Sequence, residues 1–190
     1  MQRVCVFCGS NHGARSDYLH AAQELGTLLA QQNISIVYGG AHVGLMGALA
    51  DATLAANGEV IGVIPQALVD KEIAHGGLSQ LYIVDSMHAR KAKMAALSDG
   101  FIALPGGFGT LEEFFEIATW VQLGLQAQPL ALLNVADFYT PLLSFLDHGV
   151  AEGFVRAAHR DMLIVDAEAP RLLARMQQYQ PTNTTKWITP

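Results

Sequence analysis

Long apolar runs, cysteines and basic side chains are all scarce in this chain of 190 residues. No apolar run approaches the ~20 residues that a helix needs to cross a bilayer, so no membrane span is expected. Lysine and arginine number 11 against 17 acidic residues, which gives a net charge of −6. A nucleic-acid polymer is therefore not expected as a partner, because binding to its phosphate backbone requires concentrated basic side chains.

The two cysteines, Cys5 and Cys8, form a Cys-x-x-Cys pattern. This spacing can indicate a redox pair, but such a pair usually lies at a helix N-terminus. Here both fall in an apolar strand, where an odd spacing places their side chains on opposite faces, so we expect a structural role. No metal site is expected, because the chain has no second cysteine pair and no His-Glu-x-x-His motif.

The overall composition predicts a folded globule, since 51% of the residues are hydrophobic and 15% are charged. The length suits one domain, expected over residues 1–180, followed by a polar, loose C-terminal tail at residues 181–190. The N-terminus enters an apolar strand directly and lacks the shape of a signal peptide. A cytoplasmic location is therefore expected.

Apolar runs alternate with helical patterns along the chain. The predicted strands cover residues 3–8, 34–38, 59–64, 81–84, 101–104, 130–133 and 162–165. Among the helices between them, one is expected to be capped by Ser16 and another to be closed by Gly58. Because hairpin signals are almost absent, the expected fold class is α/β: a single-domain, Rossmann-like, doubly wound parallel sheet with helices on both faces.

Three turns with unusual chemistry follow predicted strands. They are Gly9-Ser10-Asn11, the glycine-rich residues 39–47, and residues 105–110. In doubly wound sheets, ligands bind outside the carboxyl ends of the strands. We therefore expect a site at this edge. The candidate binding residues in the first two turns are Ser10, Gly39, Gly40 and Gly44.

The third turn carries the strongest signal. Three glycines within four residues follow Pro105, and the next helix, expected to begin at Thr110, carries Glu112 and Glu113. Glycine lets a backbone approach a ligand closely, and the N–H groups of a first helical turn favour a phosphate. The third glycine of the dinucleotide fingerprint is replaced by Glu112, and no Gly-Lys-Ser/Thr of a P-loop follows.

These residue types predict a class of reaction. A phosphate held by the N–H groups of residues 106–110 and the Thr110 hydroxyl, beside a carboxylate, suits cleavage at a sugar C1. A glutamate there activates water or stabilises an oxocarbenium-like charge. Arg90 is a further anion partner, because a cation early in the predicted helix of residues 87–98 opposes the helix dipole unless an anion compensates it.

The turn also matches a family motif. Residues 105–113 read Pro-Gly-Gly-Phe-Gly-Thr-Leu-Glu-Glu. This resembles the Pro-Gly-Gly-x-Gly-Thr-x-x-Glu signature of the LOG (Lonely Guy) family of cytokinin riboside 5′-monophosphate phosphoribohydrolases, whose members have often been labelled lysine decarboxylases. The Met-x-x-Arg-Lys element of the same family matches residues 87–91, and the similarity extends over about residues 4–165.

The resemblance implies a hydrolase domain that splits the N-glycosidic bond of a purine nucleoside 5′-monophosphate into free base and ribose 5-phosphate. It implies no metal or organic cofactor, and a homodimer for which the helix bearing Trp120 is a candidate surface. It assigns Arg90 and Glu113 as catalytic residues. The substrate contacts that it implies are Glu72, Arg90, Lys91, Gly106, Gly107, Phe108, Gly109, Thr110, Leu111, Glu112 and Thr119.

Two alternatives stay open at this point. The base is adenine or an N6-prenylated adenine, since one sequence does not show the shape of the pocket. The rival function is a non-catalytic nucleotide or molybdopterin carrier of similar fold, although a carrier has no need for both Arg90 and Glu113. The decarboxylase label is weaker, because pyridoxal phosphate chemistry requires a Schiff-base lysine and only Lys91 or Lys93 offers one.

Overall fold

The computed structural model describes residues 1–71 and 73–181. Its strands, β1 to β7 in chain order, are Arg3–Phe7, Ser35–Tyr38, Val60–Pro65, Gln80–Val84, Phe101–Ala103, Leu130–Leu133 and Leu163–Asp166. Its α-helices, α1 to α8, are Ser16–Gln31, Gly44–Ala55, Gln66–Val69, Met87–Ala96, Phe108–Gln122, Thr140–Ala151, Ala157–Asp161 and Ala169–Gln177. Every predicted strand is present, with each end within one residue of its predicted position.

The seven strands form one parallel sheet in the order β4-β3-β2-β1-β5-β6-β7. The chain winds outward from β1 to the edge strand β4 and then returns to place β5 on the other side of β1. This reversal makes the boundary between β1 and β5 a topological switch point, where a crevice opens at the carboxyl ends of the strands. The predicted doubly wound α/β fold is confirmed.

Helices cover both faces of the sheet. On one face, α1, α2 and α8 bury side chains such as Leu25, Leu49 and Leu172. On the other face, α4 and α5 bury Met94 and Phe114. The central strands are therefore covered on both sides, which explains why their sequences are almost continuously apolar.

The two cysteines lie in different cores, as their odd spacing predicts. Cys5 packs in the core beside α4 and α5, and Cys8 packs in the core beside α1 and α2. Both are free thiols. Burial raises the pKa of each thiol, and the negative charge of Glu113 raises it further. A thiol held in its neutral form is a poor nucleophile, which agrees with a structural role.

Two predicted helix caps are wrong. Ser16 is the first residue of α1 rather than its cap, and Arg15 occupies the N-cap position. Gly58 does not take the left-handed conformation that closes α2. Asn57 takes it instead, with φ of 60°, because the short polar side chain of asparagine tolerates this region.

Other boundaries also differ from expectation. α5 begins at Phe108 rather than Thr110, since Gly107 is already extended and acts as the N-cap. The short helix α7 was not predicted. No helix within residues 1–71 and 73–181 is long and apolar enough to span a bilayer. The tail predicted at residues 181–190 lies outside the described residues, except for Pro181.

The carboxyl end of β5 is held by buried hydrogen bonds. Tyr139, which precedes α6, is 1% exposed, and its hydroxyl donates a 2.6 Å bond to the carbonyl of Leu104. On the other side, the N–H of Gly9 donates to the carbonyl of Pro105 at 3.0 Å. The segment that leads into the glycine turn is therefore fixed by both of its neighbours.

Tyr139→Phe is expected to lower the free energy of unfolding by about 1–2 kcal/mol, because it leaves the buried Leu104 carbonyl without its donor. Tyr82→Phe is the matched control. That ring is only half-buried, so its loss of a hydroxyl should change stability by less than about 0.5 kcal/mol. Urea denaturation measures both values, and equal losses would contradict the role of the Tyr139 hydroxyl.

Candidate active site

A buried ion pair lies at the carboxyl edge of the sheet. Nη1 of Arg90, on α4, is 3.0 Å from Oε1 of Glu113, on α5, and each side chain is only 9% exposed. α4 follows the edge strand β4, whereas α5 follows the central strand β5. The two residues that the sequence identifies separately therefore meet in one place.

The backbone around Arg90 orients its guanidinium group. Nε of Arg90 donates to the carbonyl of Val63, in β3, at 3.1 Å. A Cβ atom at Gly39 would lie 2.0 Å from Nη2 of Arg90. Any side chain at residue 39 would thus displace the guanidinium group. Glycine is therefore required there for steric reasons.

The glycines before Glu113 differ in what explains the absence of a side chain. Gly106 lies under Thr110, since a Cβ there would be 2.1 Å from Thr110 Oγ1. At Gly107 and Gly109, by contrast, no atom of the described residues would lie within 4 Å of such a Cβ, apart from the chain neighbours and the backbone of the same helix. Gly109 lies inside α5, where glycine costs about 0.5–1 kcal/mol relative to alanine. Packing among the described residues does not explain these two glycines, whereas close approach of a ligand to the backbone does.

The ion pair and the glycine turn border one cleft of about 360 Å³. Loops that follow β1, β2, β3 and β5 converge there, together with α4. The residues that line it are Cys8, Ser10, Gly39, Ala41, Val43, Met46, Leu68, Ile73, Arg90, Gly107, Phe108, Gly109, Thr110 and Glu113. The cleft therefore combines a few polar groups with a mostly apolar surface, as small-molecule sites do.

The electrostatics of the cleft depend on the same pair. Arg90 is the only basic side chain among the lining residues. Burial raises the pKa of Glu113, and the positive charge of Arg90 opposes this rise. A carboxyl group with a raised pKa exchanges a proton more readily near neutral pH. Among residues 1–71 and 73–181, no group of three or more histidine, cysteine, aspartate or glutamate side chains is placed to hold a metal ion.

Lys91 has partners of its own outside the cleft. Its Nζ contacts Glu112 and lies 3.1 Å from Oε1 of Glu116, and the lysine side chain is 9% exposed. These carboxylates compensate the charge of Lys91 near the start of α4, as Glu113 does for Arg90, so an early cation in this helix does not by itself indicate a ligand. Lys93 lies 4.2 Å from the centre of the Tyr82 ring. Neither lysine lines the cleft.

The cleft brings together part of the predicted site. The predicted residues that line it are Ser10, Gly39, Arg90, Gly107, Phe108, Gly109, Thr110 and Glu113. The predicted residues that do not line it are Gly40, Gly44, Lys91, Gly106, Leu111, Glu112 and Thr119. Glu72 lies outside the described residues. For all of them, the functional role stays a prediction.

Several predicted site residues that do not line the cleft have a local structural role. Gly40 and Gly44 have φ of 75° and 58°, a backbone conformation that favours glycine. Leu111 packs against the core. Thr119 lies nine residues after Thr110, about 13 Å further along the helix axis, and donates to the carbonyl of Phe115. One small ligand held by the glycine turn would not reach Thr119 of the same chain.

Sequence analysis missed most of the apolar lining. Ala41 and Val43 come from the turn after β2, and Met46 comes from the first turn of α2. Leu68 and Ile73 come from the connection between β3 and β4. The only signal in the sequence was their position after strands, at the edge where ligands bind. Which of them face the cleft depends on how the two connections fold against each other.

Comparison with known proteins identifies the family. A family profile described as "Possible lysine decarboxylase" matches residues 46–176. A probable cytokinin riboside 5′-monophosphate phosphoribohydrolase of Oryza sativa subsp. japonica is 48% identical over 180 residues, or 95% of this chain and 79% of the relative. A cytokinin riboside 5′-monophosphate phosphoribohydrolase of Arabidopsis thaliana is 47% identical over 180 residues, or 95% and 84%. The chain belongs to the LOG family. Like these relatives, it is a phosphoribohydrolase, an enzyme that cleaves N-glycosidic bonds.

Solved structures share the fold of this LOG-family chain. The molybdenum cofactor binding protein of Rippkaea orientalis has a TM-score of 0.71 at 19% identity, over 94% of this chain and 97% of that one. The molybdenum cofactor carrier protein of Chlamydomonas reinhardtii has a TM-score of 0.68 at 20% identity, over 93% and 96%. At such identities the likeness concerns the fold alone.

Arg90→Ala is expected to reduce the kcat/KM of this LOG-family enzyme by about 100-fold or more, the usual effect of removing a charged group from a site. Lys93→Ala is the matched control, because it removes a positive charge from the same helix but outside the cleft. Lys93→Ala should lower kcat/KM by less than about threefold, in the range of an ordinary surface substitution. Similar losses in the two variants would show that net charge, rather than the position of Arg90, matters.

Proposed function

We propose that this protein hydrolyses the N-glycosidic bond of purine riboside 5′-monophosphates to the free base and ribose 5-phosphate. The substrate is a cytokinin riboside 5′-monophosphate or adenosine 5′-monophosphate. The observation that carries the proposal is the juxtaposition of the Arg90–Glu113 pair with the open glycine backbone at the start of α5. The names of the curated relatives support the same reaction.

The start of α5 suits the 5′-phosphate. The first N–H groups of a helix have no partner within it, and the helix dipole adds a positive potential there. The absence of side chains at Gly107 and Gly109 leaves this backbone open to an anion. The Thr110 hydroxyl adds a donor, and Arg90 is the one basic side chain that the described residues contribute to the cleft lining. These groups suit one phosphate better than a chain of two or three.

The position of Glu113 suits the chemical step. It lies four residues beyond Gly109, about 6 Å along the helix axis, which is the scale that separates a 5′-phosphate from C1 of the same ribose. Water adds to C1 as the bond from C1 to the base nitrogen breaks. Glu113 accepts a proton from that water or stabilises the positive charge on the ribose. Overall, the water supplies its hydroxyl to C1 and its proton to the nitrogen of the departing base. Arg90 holds Glu113 and binds an anionic group of the substrate.

The apolar lining suits the base. Val43, Met46, Leu68 and Ile73 supply a surface against which a purine ring or an N6-linked hydrocarbon chain loses contact with water. The reaction requires water and no further cofactor. We also propose that the enzyme acts in the cytoplasm, where free thiols such as Cys5 and Cys8 persist.

The alternative that the sequence left open is a non-catalytic carrier of nucleotide or molybdopterin, since molybdenum cofactor carriers share this fold. A carrier gains nothing from a buried ion pair at its ligand site, since removing two charges from water is costly. A catalyst does benefit from the pair, because Arg90 keeps the carboxylate of Glu113 in a fixed position in a site that is largely shielded from water. Incubation with a panel of nucleotides, followed by chromatography, separates the two: an enzyme releases free base, whereas a carrier only binds.

Glu113→Gln is expected to lower the release of adenine from adenosine 5′-monophosphate by about 10²–10⁴-fold, because amide cannot replace a carboxylate in proton transfer or charge stabilisation. Nucleotide binding should change little. Glu116→Gln, one turn along the same helix and paired with Lys91, is the matched control and should retain most activity.

The pH profile gives a second readout for Glu113. Burial raises the pKa of this carboxyl group, and its deprotonated form is the active one. Activity should therefore fall as pH decreases through a pKa above the ordinary glutamate value of about 4.3. Near wild-type release of adenine by Glu113→Gln would refute this mechanism.

We also propose a homodimer. Phe108, at the cleft, is 95% exposed, and Met87, in the first turn of α4, is 45% exposed. Exposed apolar side chains near a site are typical of surfaces that bind a partner. Trp120, the candidate named from the sequence, is half-buried against the core beside α5. Sedimentation at micromolar concentration should show about twice the chain mass of 20.4 kDa, and a monomer would contradict the proposal.

A further inference from the structure

Part of the cleft wall comes from a connection with little secondary structure. Leu68 and Ile73 line the cleft and lie between β3 and β4. Beyond the short helix α3, this connection is joined to the turn after β2 by an isolated antiparallel bridge between Ala74 and Ala41. What holds this wall in place therefore bears on the shape of the cleft.

Backbone bonds fasten the connection to the turn after β2. The N–H of His42 donates to the carbonyl of Ile73 at 3.0 Å, and the ring Nδ1 of His42 lies 2.9 Å from the same oxygen. Because a carbonyl only accepts, Nδ1 of His42 carries the proton. The N–H of His75 donates to the carbonyl of Gly40 at 2.9 Å. The connection is thus attached at Ile73 itself and again two residues later, at His75.

The His75 side chain adds a link to α2. Its Nε2 lies 3.0 Å from Oδ1 of Asp51, and its Nδ1 accepts from the N–H of Gly77 at 3.1 Å. Because Nδ1 accepts a hydrogen bond, the proton of the neutral ring lies on Nε2 and is donated to the carboxylate. The His75 side chain is 11% exposed and that of Asp51 is 71% exposed. Both ring nitrogens of a largely buried imidazole are therefore in use.

We infer that His75 and Asp51 are positioning residues, which hold Leu68 and Ile73 in place as a wall of the nucleotide cleft. Neither residue lines the cleft itself, so both act through the wall. The kinetic consequence rests on the proposed function. A wall contacts the nucleotide equally in the ground state and the transition state, so loosening it raises KM and leaves kcat nearly unchanged.

The test uses His75→Ala, Asp51→Ala and the double variant in the full chain. With adenosine 5′-monophosphate, each is expected to raise KM about threefold to fivefold, the range for the loss of one hydrogen bond, with kcat within about twofold of wild type. The double variant should be no worse than the worse single variant, because both remove the same link. Hydrogen exchange of the amides in residues 73–77 should accelerate by a similar factor.

Two further variants sharpen the test. His75→Gln retains a donor near the position of Nε2 and should restore KM and exchange towards the wild-type values. His148→Ala removes an exposed histidine of α6 and should change neither. Unchanged exchange and KM in both His75→Ala and Asp51→Ala would overturn the inference, as would a loss in kcat alone. If the wild-type enzyme releases no base, the proposed function fails, while the exchange rates still decide whether His75 holds the wall.

Discussion

The buried ion pair between Arg90 and Glu113 is the constraint on which the rest of the site depends. Each side chain is 9% exposed, so each has lost most of its contact with water. Replacing such a pair by apolar side chains is often neutral or stabilising, whereas removing one partner leaves an uncompensated charge. Stability alone therefore gives little reason for the pair. Its position in the cleft gives a functional one, since a site requires charges that are already held in place before the substrate arrives.

The topology of the sheet is what makes this pair possible. The chain reaches the edge at β4, and α4 then crosses back over β3 towards the centre, where β5 begins. Arg90 is carried on that crossing, and Glu113 lies on the next helix. The carbonyl of Val63 in β3 and the bare backbone at Gly39 after β2 complete the support for the guanidinium group. The neighbouring strands β2 and β3 thus both contribute to the orientation of one side chain.

The glycines around the cleft fall into two groups. Gly39, Gly44 and Gly106 are required by the protein itself, because a Cβ at any of them would collide with neighbouring atoms. A Cβ at Gly107 or Gly109 would collide with no atom of the described residues. The sequence shows all five as one kind of residue. The structure distinguishes glycines where a Cβ would collide with the protein itself from glycines where it would meet open space, for which approach of a ligand is the proposed reason.

By itself, the sequence determined the parallel α/β sheet, the position of every strand to within one residue, the edge at which the cleft lies and the LOG-family motif. These follow from local periodicity and from glycine patterns, which involve residues close together in the chain. Only the tertiary structure decided that Arg90 pairs with Glu113 while Lys91 pairs with Glu112 and Glu116, and that Leu68 and Ile73 form part of the cleft. Adjacent residues on a helix point about 100° apart, and the partner that each one meets is set by packing between elements that are distant in the sequence.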